Sequence, residues 1–455
     1  SAGNAFYLEE LIRAVAEGRG DDLPPTVLAM VQARLEGLEP EARRLLRAAS
    51  VFGMVFWRGA VTALLGGDET LGAVDGWLRA LVEREMLAPR GEGRFPGEQE
   101  YVFRHSPVRE AAYAMLTDAD RRLGHQLAGA WLESAGEPSA AVLAEHFEQG
   151  GEPQRAVLSY KRAAERALEG NDFGAAFDLA QRAVRCGAEG ETLGALRVVQ
   201  AEAEAWGGDN AGAERLAREA RAVLPRGSER WCAASAELGV ALAKLGKVDD
   251  LCAVAEELQA LLARGQSARP PLVAASRLTI PLLLLGRHAL GEALLAALEA
   301  RAGMRLATDP SLRGRVLYAR AIRAAVQGNP GALLVPMEAA AESYEEAGNL
   351  RHAAMQRVNV GYGFLEMGAH AEAEHALREA LVTAEQLGLA TVAATARHDL
   401  GLVLGRLGAL AEGIAVEREA VAAFQAQKDR RMEGASRNYL ALLLIAAGDP
   451  GAAEQ

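Results

Sequence analysis

Apolar and polar positions between residues 136 and 455 follow the period of an amphipathic helix. Runs such as NVGYGFLEMG and AHAEAEHALREALVTAEQLG place apolar residues at i, i+3, i+4 and i+7, on one helix face. Turn glycines separate these runs at intervals of 40 or 42 residues, with Gly170 and Gly207 as less regular predecessors: Gly246, Gly286, Gly328, Gly368, Gly408 and Gly448. A fixed period of this length predicts a solenoid of helix–turn–helix units.

The small and large residues within each unit resemble the tetratricopeptide pattern, Leu-Gly-x2-Tyr in the first helix and Ala-x3-Phe in the second. Val360-Gly361 with Phe364, followed by Ala373 and Leu377, match this pattern. The period of 40 implies slightly longer helices or turns than usual, and HEAT or armadillo repeats remain an alternative. We predict a predominantly all-α chain, with a tetratricopeptide-like α-solenoid superhelix over residues 136–455.

Stacked repeats of this kind turn their first helices toward a concave groove that binds a peptide or a protein domain. The candidate partner-binding residues are those that repeat position places on the groove side: Arg315, Tyr318, Ile322, Met355, Tyr362, Glu366, His398, Arg406 and Asn438. For each of them the alternative is a solvated or helix-packing role.

Residues 1–135 lack the 40-residue period and predict a separate domain. Two helices opened by Pro24-Pro25 and by Pro40 come first, since proline is tolerated in a first helical turn. Further helices lead to two short strands, near 86–90 and 100–105, on either side of a glycine-rich loop. This order predicts a winged helix, a small α+β domain whose loop is the wing.

The charge of the chain argues against nucleic acid as a partner. The net charge is −12, and residues 1–135 contain 15 arginines, no lysine and 20 acidic residues. Because affinity for a duplex depends on neutralising phosphates, the predicted winged helix is not expected to bind DNA. A winged-helix transcription activator is kept as the second alternative function.

The cysteines and the apolar runs indicate the compartment. Cys186, Cys232 and Cys252 form an odd, scattered set without CxxC spacing, which is typical of reduced thiols. The first residues lack the features of a signal peptide, and the longest apolar run, LALLLIAA, is too short to span a bilayer. We expect a cytoplasmic protein that does not associate with membranes.

Several segments resemble the C-terminal part of bacterial signal-transducing ATPases with numerous domains: GNAFYLEEL, LPPTVLAMVQARLEGLEPEARRLLRAASVFG, EYVFRHSPVREAAYAML and LAEHFEQGGEPQRAVLSYKRAAERAL. The likeness is greatest to serine/threonine kinases and adenylate cyclases that carry an AAA-type ATPase and a tetratricopeptide tail. It implies an upstream ATPase domain in cis and a winged helix that closes over the bound nucleotide. It also implies a superhelix that senses a signal or docks a partner.

The chain departs from that family by lacking a P-loop. Its only Gly-Lys pair, Gly246-Lys247, lies in a repeat turn, and no kinase glycine-rich loop or His-Arg-Asp signature is present. We therefore expect a fragment of a longer protein, with no catalytic residues and no cofactor of its own. ATP or ADP would belong to the parent protein.

The same resemblance suggests a role for Arg104 and His105, which follow the last predicted strand. In related switch ATPases, a histidine at the end of the winged helix contacts the β-phosphate of bound ADP. An imidazole at a helix start can donate to a phosphate oxygen. Both residues are candidates for nucleotide sensing in the parent protein. The alternative is that His105 caps the helix or sits in a polar corner, packed against Tyr113.

No other constellation predicts chemistry. His125 and His146 are expected to stand alone, no residues have zinc-ligand spacing, and Glu202 and Glu204 are expected on a solvated helix face. The leading prediction is a non-catalytic regulatory and sensor module. It would bind a protein or ligand in the groove and control an ATPase or kinase in the parent. The first alternative is a stand-alone tetratricopeptide scaffold for protein assembly.

Overall fold

The computed structural model describes residues 27–67, 71–91, 93–264, 268–329, 332–427, 429–449 and 451. The segment GNAFYLEEL and the helix start predicted at Pro24-Pro25 lie outside the described residues. The chain divides into two compact units, residues 1–163 with 185–187 and residues 164–184 with 188–455. We call them the N-terminal unit and the repeat unit. The boundary predicted at residue 135 falls inside the N-terminal unit.

The N-terminal unit combines short helices with a small antiparallel sheet, which confirms the predicted small α+β domain. Its helices are α1 (Val27–Glu36), α2 (Pro40–Ser50), α3 (Arg58–Leu65), α4 (Leu71–Glu83), α5 (Ser106–Ala114), α6 (Asp118–Ser134) and α7 (Ala140–Gln149). Its strands are β1 (Val55–Trp57), β2 (Leu87–Pro89) and β3 (Glu100–Phe103). Strand β3 is central, and Val102 lies opposite both Val55 and Ala88.

The sheet and the first helices share one apolar core. Leu46, Phe56, Leu78 and Phe103 are among its fully buried side chains. Glu100 is also buried, but its carboxylate accepts a hydrogen bond from Trp57 Nε1 at 3.1 Å and pairs with an arginine of the β2–β3 loop. These contacts compensate the loss of hydration that a buried charge suffers.

Two histidines meet where α6 packs against α7. His125 Nδ1 lies 3.0 Å from His146 Nδ1, and His125 Nε2 lies 2.9 Å from the Tyr113 hydroxyl. Burial lowers the pKa of each histidine to about 4, and the neighbouring His146 lowers the pKa of His125 further. Both rings are therefore neutral at pH 7, one as donor and one as acceptor. The prediction that they stand alone is wrong.

The repeat unit is a stack of helical hairpins, which confirms the predicted tetratricopeptide-like solenoid. Helix α8 (Pro153–Glu169) contains the division between the two units, and the helices that follow it are α9 (Phe173–Arg185), α10 (Gly190–Gly207), α11 (Asn210–Val223), α12 (Glu229–Lys244), α13 (Val248–Ala263), α14 (Arg269–Leu284), α15 (His288–Ala302), α16 (Arg305–Thr308), α17 (Pro310–Val326), α18 (Leu334–Glu346), α19 (Leu350–Glu366), α20 (His370–Gln386), α21 (Ala390–Arg406), α22 (Leu410–Ala426) and α23 (Arg430–Ala446). None of the described helices combines the length and the apolarity that a bilayer crossing requires.

The predicted turn glycines end the first helix of their hairpins in a left-handed conformation. Their φ angles lie between 70° and 85° at Gly246, Gly286, Gly328, Gly368, Gly408 and Gly448. In the two less regular turns the following residue takes this role, Asn171 (φ 63°) after Gly170 and Gly208 (φ 92°) after Gly207. Glycine and asparagine tolerate this backbone region, in which other side chains meet their own carbonyl group.

Small residues let paired helices approach closely. A Cβ atom added to Gly361 in α19 would lie 2.5 Å from the Leu377 side chain in α20, and one added to Gly239 would lie 2.7 Å from Leu278. Leu377, Ala373 and Ala380 of α20 are themselves buried. The glycines therefore act as contact points at which a leucine of the adjacent helix fills the space of a missing side chain.

Alanine substitutions at two helical glycines test this packing. Gly361→Ala is expected to lower the free energy of unfolding by about 1 kcal/mol or more, because the clash with Leu377 outweighs the better helix propensity of alanine. Gly434→Ala, in α23, is the matched control: its added Cβ meets nothing within 4 Å. Gly434→Ala should raise the free energy of unfolding by up to about 1 kcal/mol. Urea unfolding followed by circular dichroism gives both values, and equal effects at the two sites would contradict the packing.

The histidine pair makes the N-terminal unit sensitive to acid. The folded-state pKa of each ring, about 4, is below the usual value of 6.5, so stability is complete above pH 6.5 and is lost as the pH falls toward 4. Between pH 7 and pH 5 the loss should be about 2 kcal/mol for each histidine, and therefore roughly 3–4 kcal/mol for the pair. Urea unfolding followed by tryptophan fluorescence measures it.

The double variant His125→Gln and His146→Gln keeps hydrogen-bonding groups but does not titrate, so it should lose most of this acid sensitivity. His375→Gln is the control, because the His375 side chain is 77% exposed. If the double variant loses as much stability between pH 7 and pH 5 as the unaltered protein does, the pair is not the cause.

Candidate binding site in the repeat unit

The first helices of the repeats line a cavity of about 450 Å³ that is partly open to solvent. Its walls come from α12, α14, α17, α19, α21 and α23, with single residues from α18 and α22. The apolar lining includes Ile280, Leu284, Met355 and Phe424, and the charged lining includes Lys244, Arg277, Arg315, Asp429 and Arg431. The volume lies within the roughly 300–1,000 Å³ range of pockets that hold small ligands.

Contacts between distant repeats close the array around this interior. The Arg351 guanidinium lies 3.4 Å from a Glu202 carboxylate oxygen, 149 residues earlier in the chain, and donates to the Leu168 carbonyl at 3.1 Å. Thr391 Oγ1 donates to the Trp206 carbonyl at 3.2 Å. Helix α10 therefore touches α19 and α21, and the first helices surround the interior instead of forming an open row.

Arg277 is held by its own carboxylate partner. Its two terminal nitrogens donate to the two carboxylate oxygens of Glu237, one of them at 3.0 Å, and the Glu237 side chain is 2% exposed. Burial opposes the charge on Arg277, but the Glu237 carboxylate prevails and raises the pKa of Arg277. A two-pronged pair of this kind satisfies both ions and orients the guanidinium.

Arg315 lies beside this pair without a carboxylate of its own. Among the described residues no acidic side chain forms an ion pair with it, and its Nε is buried with no hydrogen-bond partner. Its contacts are an Nη at 3.5 Å from His352 Nε2 and the Tyr344 ring at 6.0 Å. Burial, together with the neighbouring Arg277 charge, lowers the pKa of Arg315.

His352 is neutral in this setting. Burial first, and then the charges of Arg315, Arg277 and Arg351, lower the pKa of His352 well below its usual value. Its Nδ1 lies 2.9 Å from Asn349 Oδ1. Because the amide oxygen accepts, Nδ1 carries the proton and Nε2 faces Arg315 as an acceptor.

A second polar cluster joins α21 to α22 and α23. His398 Nδ1 lies 2.7 Å from Glu417 Oε1 and 2.9 Å from Ser436 Oγ, and its ring stacks on Tyr439 with centroids 4.5 Å apart. Glu417 is fully buried, and its Oε2 has no hydrogen-bond partner. Burial raises the pKa of Glu417, while the hydrogen bond to His398 opposes that rise.

Asp399 adds a further buried carboxyl group to this second cluster. Burial raises the pKa of Asp399 to about 7, and Glu417 and Glu366 act in the same direction while His398 opposes them. Burial likewise raises the pKa of Tyr362, and Glu366 adds to the effect. These residues thus influence one another across α19, α21 and α22.

The predicted groove residues separate into three groups. Arg315, Tyr318 and Met355 line the cavity. Tyr362, Glu366 and His398 belong to the second cluster, where His398 is a buried contact between helices and not part of an open surface. Ile322 packs in an apolar core with Leu283 and Met337, whereas Arg406 and Asn438 are exposed at other places.

Arg104 and His105 lie at the junction of β3 and α5, as the sequence indicates. Arg104 is exposed and lies 3.4 Å from a carboxylate oxygen of Glu85. His105 occupies the N-cap position of α5, but its side chain makes no capping hydrogen bond. The Tyr113 hydroxyl lies 2.9 Å from His125 Nε2, and the alternative that His105 sits in a polar corner stays a prediction.

Sequence reasoning missed two parts of the interior. Glu202 was expected on a solvated face, but it faces Arg351, and burial raises its pKa. Lys244 lines the cavity from the end of α12. Both residues lie in the first helix of a hairpin, and this position in the repeat is the sequence feature that could have predicted them. Periodicity alone does not show that the array closes.

A larger groove of about 1060 Å³ lies between α18, α19 and α20. Its arginines already have partners: Arg357 pairs with Glu345 at 2.9 Å, and Arg378 pairs with Glu374 at 2.8 Å and with Glu412 at 2.7 Å. The groove therefore offers a solvated surface whose charges are satisfied, and the smaller interior cavity is the better candidate for a binding site.

Comparison with known proteins gives similarities of fold. No protein-family model matches the chain, and no curated protein matches it. One similar solved structure is a signal transduction ATPase with numerous domains that has a tetratricopeptide repeat sensor, from Pyrococcus horikoshii. The TM-score is 0.46 and the identity 15%, over 93% of this chain and 56% of that one, so this chain spans just over half the length of that protein.

A second similar structure is a Rap protein complexed with competence and sporulation factor. Its TM-score is 0.45 and its identity 11%, over 73% of this chain and 94% of that one. Likenesses this distant are not evidence of a shared function.

Proposed function

We propose that the repeat unit binds a peptide or a protein segment in its interior. The observation that carries the proposal is the cavity of about 450 Å³, whose lining combines apolar side chains with the charged groups of Lys244, Arg277 and Arg315. Convergent polar groups on an apolar lining are typical of ligand pockets, because apolar contact supplies affinity and the few polar groups supply orientation.

The interior also has the rigidity that recognition requires. The Arg277–Glu237 pair and the Arg351–Glu202 pair fix side chains from four different first helices. A site whose walls are held by such contacts loses little conformational freedom on binding, so more of the contact energy becomes affinity.

We further propose that this binding regulates an ATPase joined to the chain. The resemblance of EYVFRHSPVREAAYAML and its neighbouring segments to signal-transducing ATPases supports this role. In this proposal the N-terminal unit is the winged helix, and Arg104 and His105 contact the nucleotide of the ATPase domain. Ligand binding in the repeat unit would shift the protein between two states that differ in those contacts.

Filling the cavity tests the binding function. A random peptide library displayed on phage is selected against the repeat-containing chain, and the affinity of the selected peptide is measured by fluorescence anisotropy. Met355→Trp places a bulky ring in the cavity and should weaken binding by about tenfold or more, equivalent to roughly 1.4 kcal/mol.

The matched control is Met367→Trp, at the end of the same helix, where the side chain is 42% exposed and lies outside the cavity lining. This variant should bind as the unaltered chain does. Selection of no peptide, or equal affinity of the two variants, would show that the interior is not the binding site.

Nucleotide retention tests the regulatory role. In a protein that joins a P-loop ATPase domain to this chain, His105→Ala should speed the release of ADP by about tenfold, because a hydrogen bond to a charged phosphate is lost. Stopped-flow release of a fluorescent ADP analogue measures the rate, and His375→Ala is the control on an exposed histidine. Unchanged release would favour the alternative of a scaffold without a nucleotide switch.

A further inference from the structure

Three guanidinium groups meet two carboxylates in the interior of the repeat unit. Arg277 is paired with Glu237, and Arg351 is paired with Glu202 at 3.4 Å. Arg315 is the third, and among the described residues no acidic side chain forms an ion pair with it. The cluster therefore has one cation more than it has ion-paired acids.

Because of where Arg315 lies, its unpaired charge lowers the stability of the protein when no ligand is bound. Its Nε is shielded from solvent and has no hydrogen-bond partner, and His352, whose Nε2 lies 3.5 Å from an Nη of Arg315, is an uncharged ring. A buried donor without an acceptor costs free energy that a solvated or paired one does not. Part of the Arg315 side chain remains open to the cavity, so a ligand can reach it.

We propose that Arg315 binds a carboxylate of the peptide that occupies the cavity, with an apolar side chain of that peptide against Ile280, Leu284 and Met355. This proposal rests on the function proposed above and specifies its ligand. The planar guanidinium fork matches a carboxylate, which can accept two parallel hydrogen bonds and supply the missing negative charge.

The single unpaired charge at Arg315 favours a carboxylate over a phosphate. One uncompensated guanidinium matches one negative charge, whereas a phosphate monoester carries close to two at neutral pH. Lys244 and Arg431 also line the cavity, and Asp429 lies among them; burial lowers the pKa of Lys244, and Asp429 opposes that effect. The carboxylate could be the end of a peptide chain or an Asp or Glu side chain, and the experiment below separates these sources.

The test uses pools of short random-sequence peptides with either a free C-terminal carboxylate or a C-terminal amide. Both pools are offered to the full chain, and retained peptides are counted by affinity selection with mass spectrometry. Free-acid peptides should be enriched by about tenfold or more over amides, since a hydrogen bond to a charged group contributes at least that factor. In Arg315→Gln the enrichment should disappear, and in the exposed control Arg406→Gln it should remain.

The outcomes distinguish the two proposals. If amidated peptides that contain Asp or Glu are enriched, and Arg315→Gln abolishes this enrichment, then Arg315 binds a side-chain carboxylate of the peptide. If peptides with and without a carboxylate are retained equally, the proposed role of Arg315 is wrong, but the binding function stands. Preference for a phosphoserine-containing pool over the acidic pools also overturns the carboxylate proposal. If neither the unaltered chain nor the variants retain any peptide, the binding function itself fails.

A measurement without ligand checks the physical premise and the folding of the variants. Arg315→Met should raise the thermal unfolding midpoint by roughly 2–4 °C, because a cation without a counter-charge is replaced by an apolar chain. Arg277→Met should lower the midpoint, since it leaves the buried Glu237 carboxylate unpaired. A decrease for Arg315→Met as large as that for Arg277→Met would show that Arg315 already has a structural partner, and would contradict the proposal.

Discussion

The close approach of paired helices at small residues is the constraint on which the repeat unit depends. Where Gly361 meets Leu377 and Gly239 meets Leu278, no Cβ atom fits without displacement of the neighbouring side chain. Because such close packing tolerates few alternative arrangements, successive hairpins stack against one another in chain order. The first helices then converge, and their polar side chains face an interior. The candidate site is therefore a consequence of helix packing and not a separate structural addition.

Convergence of first helices concentrates charge in a confined space. Two of the three arginines there have carboxylates of their own, which limits the cost of their burial. Arg315 lacks such a partner, and stability alone does not explain its presence. Residues that weaken the free protein are common where a ligand later supplies the missing contact. The second cluster, around His398 and Glu417, is different, because its side chains already satisfy most of one another's hydrogen bonds.

The sequence predicted those features that depend on local periodicity. The turn glycines, the hairpin unit and the cavity positions of Arg315, Tyr318 and Met355 follow from repeat register, and the small α+β domain follows from the order of its helices and short strands. Register does not separate a groove position from a core position half a turn away, which is why Ile322 is buried in a core. Contacts such as Arg351 with Glu202, or His125 with His146, join elements whose meeting depends on the whole fold, and no periodicity reveals them.

The repeat array closes on itself, so that Glu202 in α10 and Arg351 in α19, 149 residues apart in the chain, meet in one interior. Short bismaleimide cross-linking measures this directly, in a chain with Glu202→Cys and Arg351→Cys and with Cys186, Cys232 and Cys252 replaced by alanine. We predict rapid cross-linking within one chain, seen by mass spectrometry as a peptide pair joining positions 202 and 351. A folded protein whose cross-linking is no faster than that of a Glu202→Cys, Arg406→Cys control would contradict a closed interior.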